Sequence, residues 1–357
     1  MDNHIITDKS LSPYFSEKIK MVSFLCIVIV FFIHSSFPEE PYKQFLLPNV
    51  VRKCTAGIFG PCAVPMFYTI SGFLFFRGVE GSKIVLKKIR RRIRTLIIPF
   101  ILAAFYYPVF FVLMEILPGV GNYIDRPSFI ELFKSLTLPE ILCSMFYGAS
   151  DGYPWAYHLW FMRDLIIIVF LSPVVFFIKK WIGCWIIAVI LFLYISFPSF
   201  WFLYAMFWFV SGSVVLGKMG SIPRWIFFPL LFLFFMMAIY RQLNGDYSYI
   251  FFNVIEISMG LVSFWCLYDY VTHNHLVFVD HDKLKLACQF TFFLYLYHEP
   301  IFHILVKLLI MVLGTNSLGY TMAITLPPFF IILLGVIIGC RLRNRLPRMY
   351  SVITGGR

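Results

Sequence analysis

The chain has 357 residues, of which 60% are apolar, 20% aromatic and only 13% charged, whereas a soluble domain is roughly half apolar and about a quarter charged. With a mean hydropathy of +0.83, that balance excludes an ordinary soluble core as the place where the apolar surface is hidden and calls for a bilayer. The net charge of +12 could suit a nucleic acid, but the Lys and Arg cluster beside apolar stretches, as the positive-inside rule and anionic headgroups require, so lipids are expected as partners and nucleic acid is not.

Residues 1–20 read as a polar, charged cytoplasmic tail. The apolar stretch that follows has no small-residue cleavage site before Pro38, so a retained span is expected and not a signal peptide. Apolar runs of membrane-crossing length predict spans at 21–37, 59–76, 95–117, 158–178, 183–200, 201–217, 224–240, 250–270, 289–311 and 321–340. An even number returns the C-terminus to the cytoplasm, leaving 341–357 as a basic tail. The run from Lys83 to Arg94, Lys179 and Lys180, Lys218 with Arg224, and Lys283 with Lys285 fall on that same side. The expectation is an all-α polytopic bundle of about ten transmembrane helices with both termini cytoplasmic, forming one domain over 21–340, with no repeat or internal linker.

The outer segment from about 118 to 157 is longer than a connection needs. Pro118, Gly119, Gly121, Pro127, Gly148, Asp151, Gly152 and Pro154 surround an amphipathic stretch near 128–147. It reads equally as a lid or acceptor platform and as an interfacial helix with a connector.

Ionisable side chains are costly inside a bilayer and tend to mark polar cavities. Within or beside the spans these are His34, Glu115, Arg163, Asp164, Glu256, His298, Glu299, His303 and Lys307. His34 lies 14 residues after Lys20, about 21 Å along a helix, in the outer half of the first span. An imidazole, with an ordinary pKa of about 6.5, can take a proton from an attacking hydroxyl at neutral pH. The basic run KKIRRRIRTLIIPF, residues 87–100, is either a topology anchor at the headgroups or a clamp for phosphates. Arg91 and Arg94, three apart on one helical face, carry guanidinium forks suited to the second role. His298 and His303 lie five apart with Pro300 between, not at the i, i+4 spacing of a zinc helix, so no metal is expected. The eight cysteines show no C-x-x-C pair and read as small core residues; a Cys54–Cys62 disulfide is the weaker alternative.

Five stretches in order carry a likeness to a known family: VSFLCIVIVFFIHSS ending in His34; PMFYTISGFLFF, residues 65–76, with Ser71; RRRIRTLIIPF; HLWFMRDLIIIVFLSPV, residues 158–174, with His158, Trp160 and Arg163; and FFLYLYHEPIF, with His298 and Glu299. In these the chain resembles the acyltransferase family 3 of bacterial membrane proteins, which includes O-acetyltransferases of lipopolysaccharide O-antigen, exopolysaccharide and related glycans. The resemblance implies a ten-helix fold in the bacterial inner membrane and a catalytic role for His34. It also implies that Arg91 and Arg94, as the family's Arg-x-x-Arg motif, handle the acyl donor. The family's basic residue eleven positions before the histidine falls here on Ser23, so Lys20, three residues earlier and on nearly the same face as Ser23, is the expected substitute. Ser71, His158, Trp160, Arg163, His298 and Glu299 are expected to line the site. Many relatives carry a fused extracytoplasmic hydrolase-like domain; here any such partner is expected to be a separate protein.

The sequence therefore points to an O-acyltransferase with no permanently bound cofactor, using acetyl-CoA or another acyl-CoA as co-substrate and a glycan or lipid-linked glycan as acceptor. Association into an oligomer is compatible with it. No oxyanion donor is identifiable. A transporter or flippase for a lipid-linked saccharide is the alternative, although the two-fold symmetry of interrupted spans that it calls for is not visible; a non-catalytic partner of a glycan assembly machine is the other.

Overall fold

The computed structural model describes residues 11–36, 39–117, 128–147, 154–220, 222–247 and 249–356. Among these there is no strand. One-turn pieces aside, the helical runs are α1 (Pro13–Ser35), α2 (Leu46–Phe76), α3 (Ser82–Ile116), α4 (Phe129–Ser135), α5 (Leu138–Tyr147), α6 (Tyr157–Ser196), α7 (Phe202–Lys218), α8 (Arg224–Asn244), α9 (Ile250–Thr272), α10 (Asp282–Gln289), α11 (Thr291–Tyr297), α12 (Ile301–Leu313), α13 (Ser317–Arg345) and α14 (Pro347–Thr354).

Seven of these (α1, α2, α3, α6, α8, α9 and α13) are long and apolar enough to cross a membrane, and α11 with α12 would make an eighth if the bent pair is one span. The protein is a multi-pass membrane protein. The difference from ten expected spans has three sources. Residues 183–200 join the preceding span in the 40-residue run α6, which is interrupted at Gly183, where φ is +60°. The span predicted at 201–217 is a shorter helix, α7, and the span at 289–311 is broken. Several boundaries also move: α2 begins well before residue 59, and the basic run belongs to the same helix as the span after it. The amphipathic stretch at 128–147 is two short helices, α4 and α5. The lid or platform expected at Pro118–Pro127 and around Asp151 lies outside the described residues.

Two compact units make up the chain. The first comprises Met1–Lys88 and Leu171–Thr291, the second Ile89–Phe170 and Phe292–Arg357.

In the first unit, α2 and α7 cross closely enough that glycine is required on both. A Cβ on Gly72 would enter the Phe209 carbonyl, and one on Gly212 the Thr69 carbonyl, the small-residue contact by which helices approach in lipid. α1 is pinned to α9 at its start. The buried Lys18 ammonium sits 2.7 Å from the Asp269 carboxylate and 4.3 Å from the centre of the Trp265 ring. Its neighbour Glu17 accepts hydrogen bonds from the Tyr268 hydroxyl and the backbone N–H groups of Val277 and Phe278. α8 and α9 share a buried ion pair, Arg241 to Glu256 at 3.0 Å. Lys88, from the basic run, donates to the backbone carbonyls of Phe75 (2.8 Å) and Arg77, closing the C-terminus of α2 as cations commonly do.

In the second unit, Glu115 near the end of α3 accepts from the Ser128 hydroxyl and the N–H groups of Phe129 and Ile130. This carboxylate caps α4, whose first N–H groups have no partner within the helix. Arg163 pairs with Asp164 at 2.9 Å and donates to the Phe146 carbonyl, tying α6 to the end of α5.

Candidate active site

The site in the second unit begins with a proline. Pro300 has no N–H to give and disfavours helical geometry at the residue before it. The span therefore stops at Tyr297 and restarts at Ile301, with a bend of 69° between α11 and α12. Backbone freed in this way at membrane depth is tolerated where it is buried in protein or lines a cavity. The break also changes the zinc argument: His303 belongs to α12 and is separated from His298 by the bend, so the angle between them on a single helix does not apply.

His298 and Glu299 occupy the break, and both are buried. The His298 Nδ1 lies 2.9 Å from the Tyr295 carbonyl and 3.2 Å from that of Leu294. Carbonyls only accept, so Nδ1 carries the proton and Nε2 is the lone-pair nitrogen of the neutral ring. The buried His158 ring meets His298 edge to face at 5.0 Å between centroids, and its Nε2 lies 3.3 Å from the Leu296 carbonyl. Tyr295 donates its hydroxyl to the His158 carbonyl at 2.9 Å, and Tyr157 donates to the Glu299 carboxylate at 2.8 Å. Two imidazoles and a carboxylate are thus oriented by the backbone and by tyrosines.

His298 lines a cavity of about 360 Å³ whose other walls are mainly aliphatic and aromatic, among them Leu102, Tyr106, Tyr297, Leu334 and Ile353. An apolar pocket of a few hundred Å³ with few polar groups is the usual form of a small-molecule site. Gly335 lets α13 pack directly against Leu294 of α11 beside it, since a Cβ there would run into that side chain. Tyr106 and Tyr297 meet edge to face at 5.5 Å, and the Tyr297 hydroxyl donates to the Ile353 carbonyl at 3.2 Å. Ile353 sits on α14 just before Gly355, which presses so closely on the Thr95 backbone that a Cβ would clash. Thr95 follows Arg94. The cavity thus lies between α3, α11–α12, α13 and α14, with His298 at the helix break among its walls.

Arg91 and Arg94 are both exposed and stand on either side of a switch in α3 from α-helix to a π-helical turn, Ile93–Ile97. Such wide turns recur at functional sites. Leu102, in the cavity wall, is eight residues further along the same helix, about 12 Å. Of the other expected site residues in this unit, His158 is buried, Trp160 is half-buried, and Arg163 has the structural engagement already described. In the first unit, His34 is half-buried in the last turn of α1, Lys20 is exposed, and Ser71 is half-buried on α2. Lys18, not Lys20, is the buried cation of α1.

Sequence reasoning passed over Tyr106, Tyr157, Tyr295 and Tyr297, as well as the aliphatic cavity wall. In a chain with 20 tyrosines and 43 phenylalanines no local pattern sets these apart. All eight cysteines are free, with Cys54 exposed and Cys62 buried.

Residues 19–342 match the family described as an acyltransferase domain. The chain belongs to acyltransferase family 3. No curated protein and no solved structure matches it. Family membership covers nearly the whole chain, both units included, and makes this multi-pass protein a membrane acyltransferase by kinship. The stretches that carried the likeness, from His34 to Pro300, all fall inside the matched range.

Proposed function

We propose that this acyltransferase moves an acyl group, acetyl in the first instance, from a cytoplasmic acyl-CoA to a hydroxyl of a cell-envelope glycan or its lipid-linked precursor. We place it in the bacterial inner membrane with an even number of crossings, the bent pair α11–α12 counting as one, and cytoplasmic termini. The observation that carries the reading is the apolar cavity of the second unit, lined by Leu102 of α3 and by His298 at the helix break. It offers a thioester and its slender pantetheine arm a dry channel, while Arg91 and Arg94 at the head of the same helix supply charge-assisted hydrogen bonds for the nucleotide phosphates.

In the transfer, the acceptor oxygen attacks the thioester carbonyl, the C–O bond forms, the C–S bond breaks, and the thiolate leaves as CoA. His34 is assigned the proton: it takes it from the attacking hydroxyl and returns it to the departing sulfur, a contribution of about a hundred- to ten-thousandfold in rate. His298, with its tautomer fixed, accepts a hydrogen bond within the cavity and positions the acyl end of the donor.

The test is the purified full chain in nanodiscs, given acetyl-CoA and envelope glycan. The expected result is release of CoA thiol matched by an added acetyl mass on the glycan. Uptake of lipid-linked saccharide by proteoliposomes, with no thioester consumed from acetyl- or succinyl-CoA, would replace this reading with transport.

A further inference from the structure

The first unit holds a pocket of the opposite chemistry. α2 contains a π-helical turn, Lys53–Gly57, and the wide turn opens one wall of a cavity of about 560 Å³. Its charged lining is Glu39, Lys43, Arg52, Lys53, Arg241 and Asp246, four cations against two carboxylates.

Partners already claim some of these charges. Arg241 is held by Glu256 at 3.0 Å and by the Gly57 carbonyl at 2.9 Å, with the exposed Asp246 at 3.8 Å. Lys43 is shared between Glu39 and Glu40 at 3.2 and 3.0 Å. Arg52 places Nη1 3.0 Å from Glu39 and donates from Nη2 to Asn49 at 3.3 Å. Its Nε, on a residue only 7% exposed, meets no acceptor among the described residues. A buried donor left in this state calls for an explanation, and a ligand supplies one. Half-buried Lys53, next in the chain, makes no ion pair among the described residues. With these pairs counted, the cationic groups left unmet lie on one edge: the Lys53 ammonium and the Nε of Arg52. Around it Asn49, Gln242 and Ser36 offer amide and hydroxyl groups of the kind that hydrogen-bond sugar hydroxyls.

We infer that this pocket is the seat of an anionic saccharide, with a carboxylate or phosphate ester held at Arg52 and Lys53 and the ring hydroxyls met by the neighbouring amides. The lining is too polar for a lipid tail, and the unpaired Lys53 beside the unmet Arg52 Nε favours an anionic sugar over a neutral one. As the acceptor pocket it rests on the transferase reading: Ile33 and Ser36, which flank His34 closely in the chain, both line it.

Binding is measured by calorimetry on the full chain in nanodiscs without donor, using trigalacturonate, glucose 1-phosphate and neutral maltotriose. At least one anionic probe is expected to bind about tenfold more tightly than maltotriose, the strength of one or two charge-assisted hydrogen bonds. Whichever of the two does so identifies carboxylate or phosphate as the anion. Lys53→Gln, at a half-buried position that does not endanger the fold, is expected to remove about fivefold of that affinity and leave maltotriose unchanged, while Lys53→Arg retains it. Equal binding of charged and neutral probes, or an unchanged anion affinity in Lys53→Gln, would overturn the assignment. Anion binding that follows this pattern without any thioester turnover would keep the pocket and remove the transferase reading. Acetyl transfer to neutral glycans with no anion preference would do the reverse.

Discussion

The two pockets of this chain are built from similar helices and end as chemical opposites. In the second unit a proline-broken span borders a cavity walled by leucine, isoleucine and tyrosine, in which one oriented imidazole is the chief polar group. In the first unit a π-helical turn opens a cavity walled by paired and unpaired charges. In both cases a departure from α-helical regularity adjoins the room, and the side chains around it decide what enters. A dry slot suits a thioester arm, and a charged bowl suits a hydroxylated, ionic acceptor. The proposed division of labour between donor and acceptor rests on that contrast, and it can be broken.

The largest effect is expected at the chemistry itself. His34→Ala should lower transfer by about a hundred- to ten-thousandfold while both substrates still bind, as followed by CoA thiol release beside calorimetry. Full activity in that variant would strip His34 of its role. Next is the foundation of the charged bowl: Glu256→Gln leaves the buried Arg241 with only the exposed Asp246, at 3.8 Å, as counter-charge. A loss of about 3–5 kcal/mol is expected, read as a lower thermal midpoint in detergent; an unchanged midpoint would mean that the ion pair is not what holds α8 to α9. Third, joint replacement of Arg91 and Arg94 by Ala should weaken acyl-CoA binding by about ten- to a hundredfold and leave trigalacturonate binding intact. Equal loss for both ligands would erase the division between the pockets, and no loss for either would return the arginines to a topological role. The smallest effect belongs to Tyr297→Phe, which removes one hydrogen bond to the Ile353 carbonyl. It should cost about 1 kcal/mol of stability and shift the donor KM without moving the acceptor KM.

Much of the architecture could be read from hydropathy, because apolar length alone marks a helix that must satisfy its own backbone in lipid. The first-span histidine, the Arg-x-x-Arg run and the His298–Glu299–Pro300 string were also legible, since charge and proline stand out against an apolar background. Pairings between residues far apart in the chain were not. Lys18 with Asp269 and the carbonyls that orient His158 depend on which helices become neighbours. Glu115 looked like a candidate for chemistry until α4 was seen to begin on its carboxylate. The π-helical turns at Lys53–Gly57 and Ile93–Ile97 leave no compositional trace, yet each lies beside a cluster of basic residues. The count of spans suffered for a related reason: a window of hydropathy cannot distinguish two crossings from one long run interrupted at Gly183.

The reciprocal fit of Gly72 beneath Phe209 and Gly212 beneath Thr69 has a bearing on motion. Backbones in direct contact, with no side chain between them to rotate or yield, cannot slide past one another by even a single residue without driving a Cβ into a peptide plane. α2 and α7 must travel as one rigid beam. Any widening of the first unit has to be pivoted elsewhere, and the helices free to swing are those whose seams are filled by side chains.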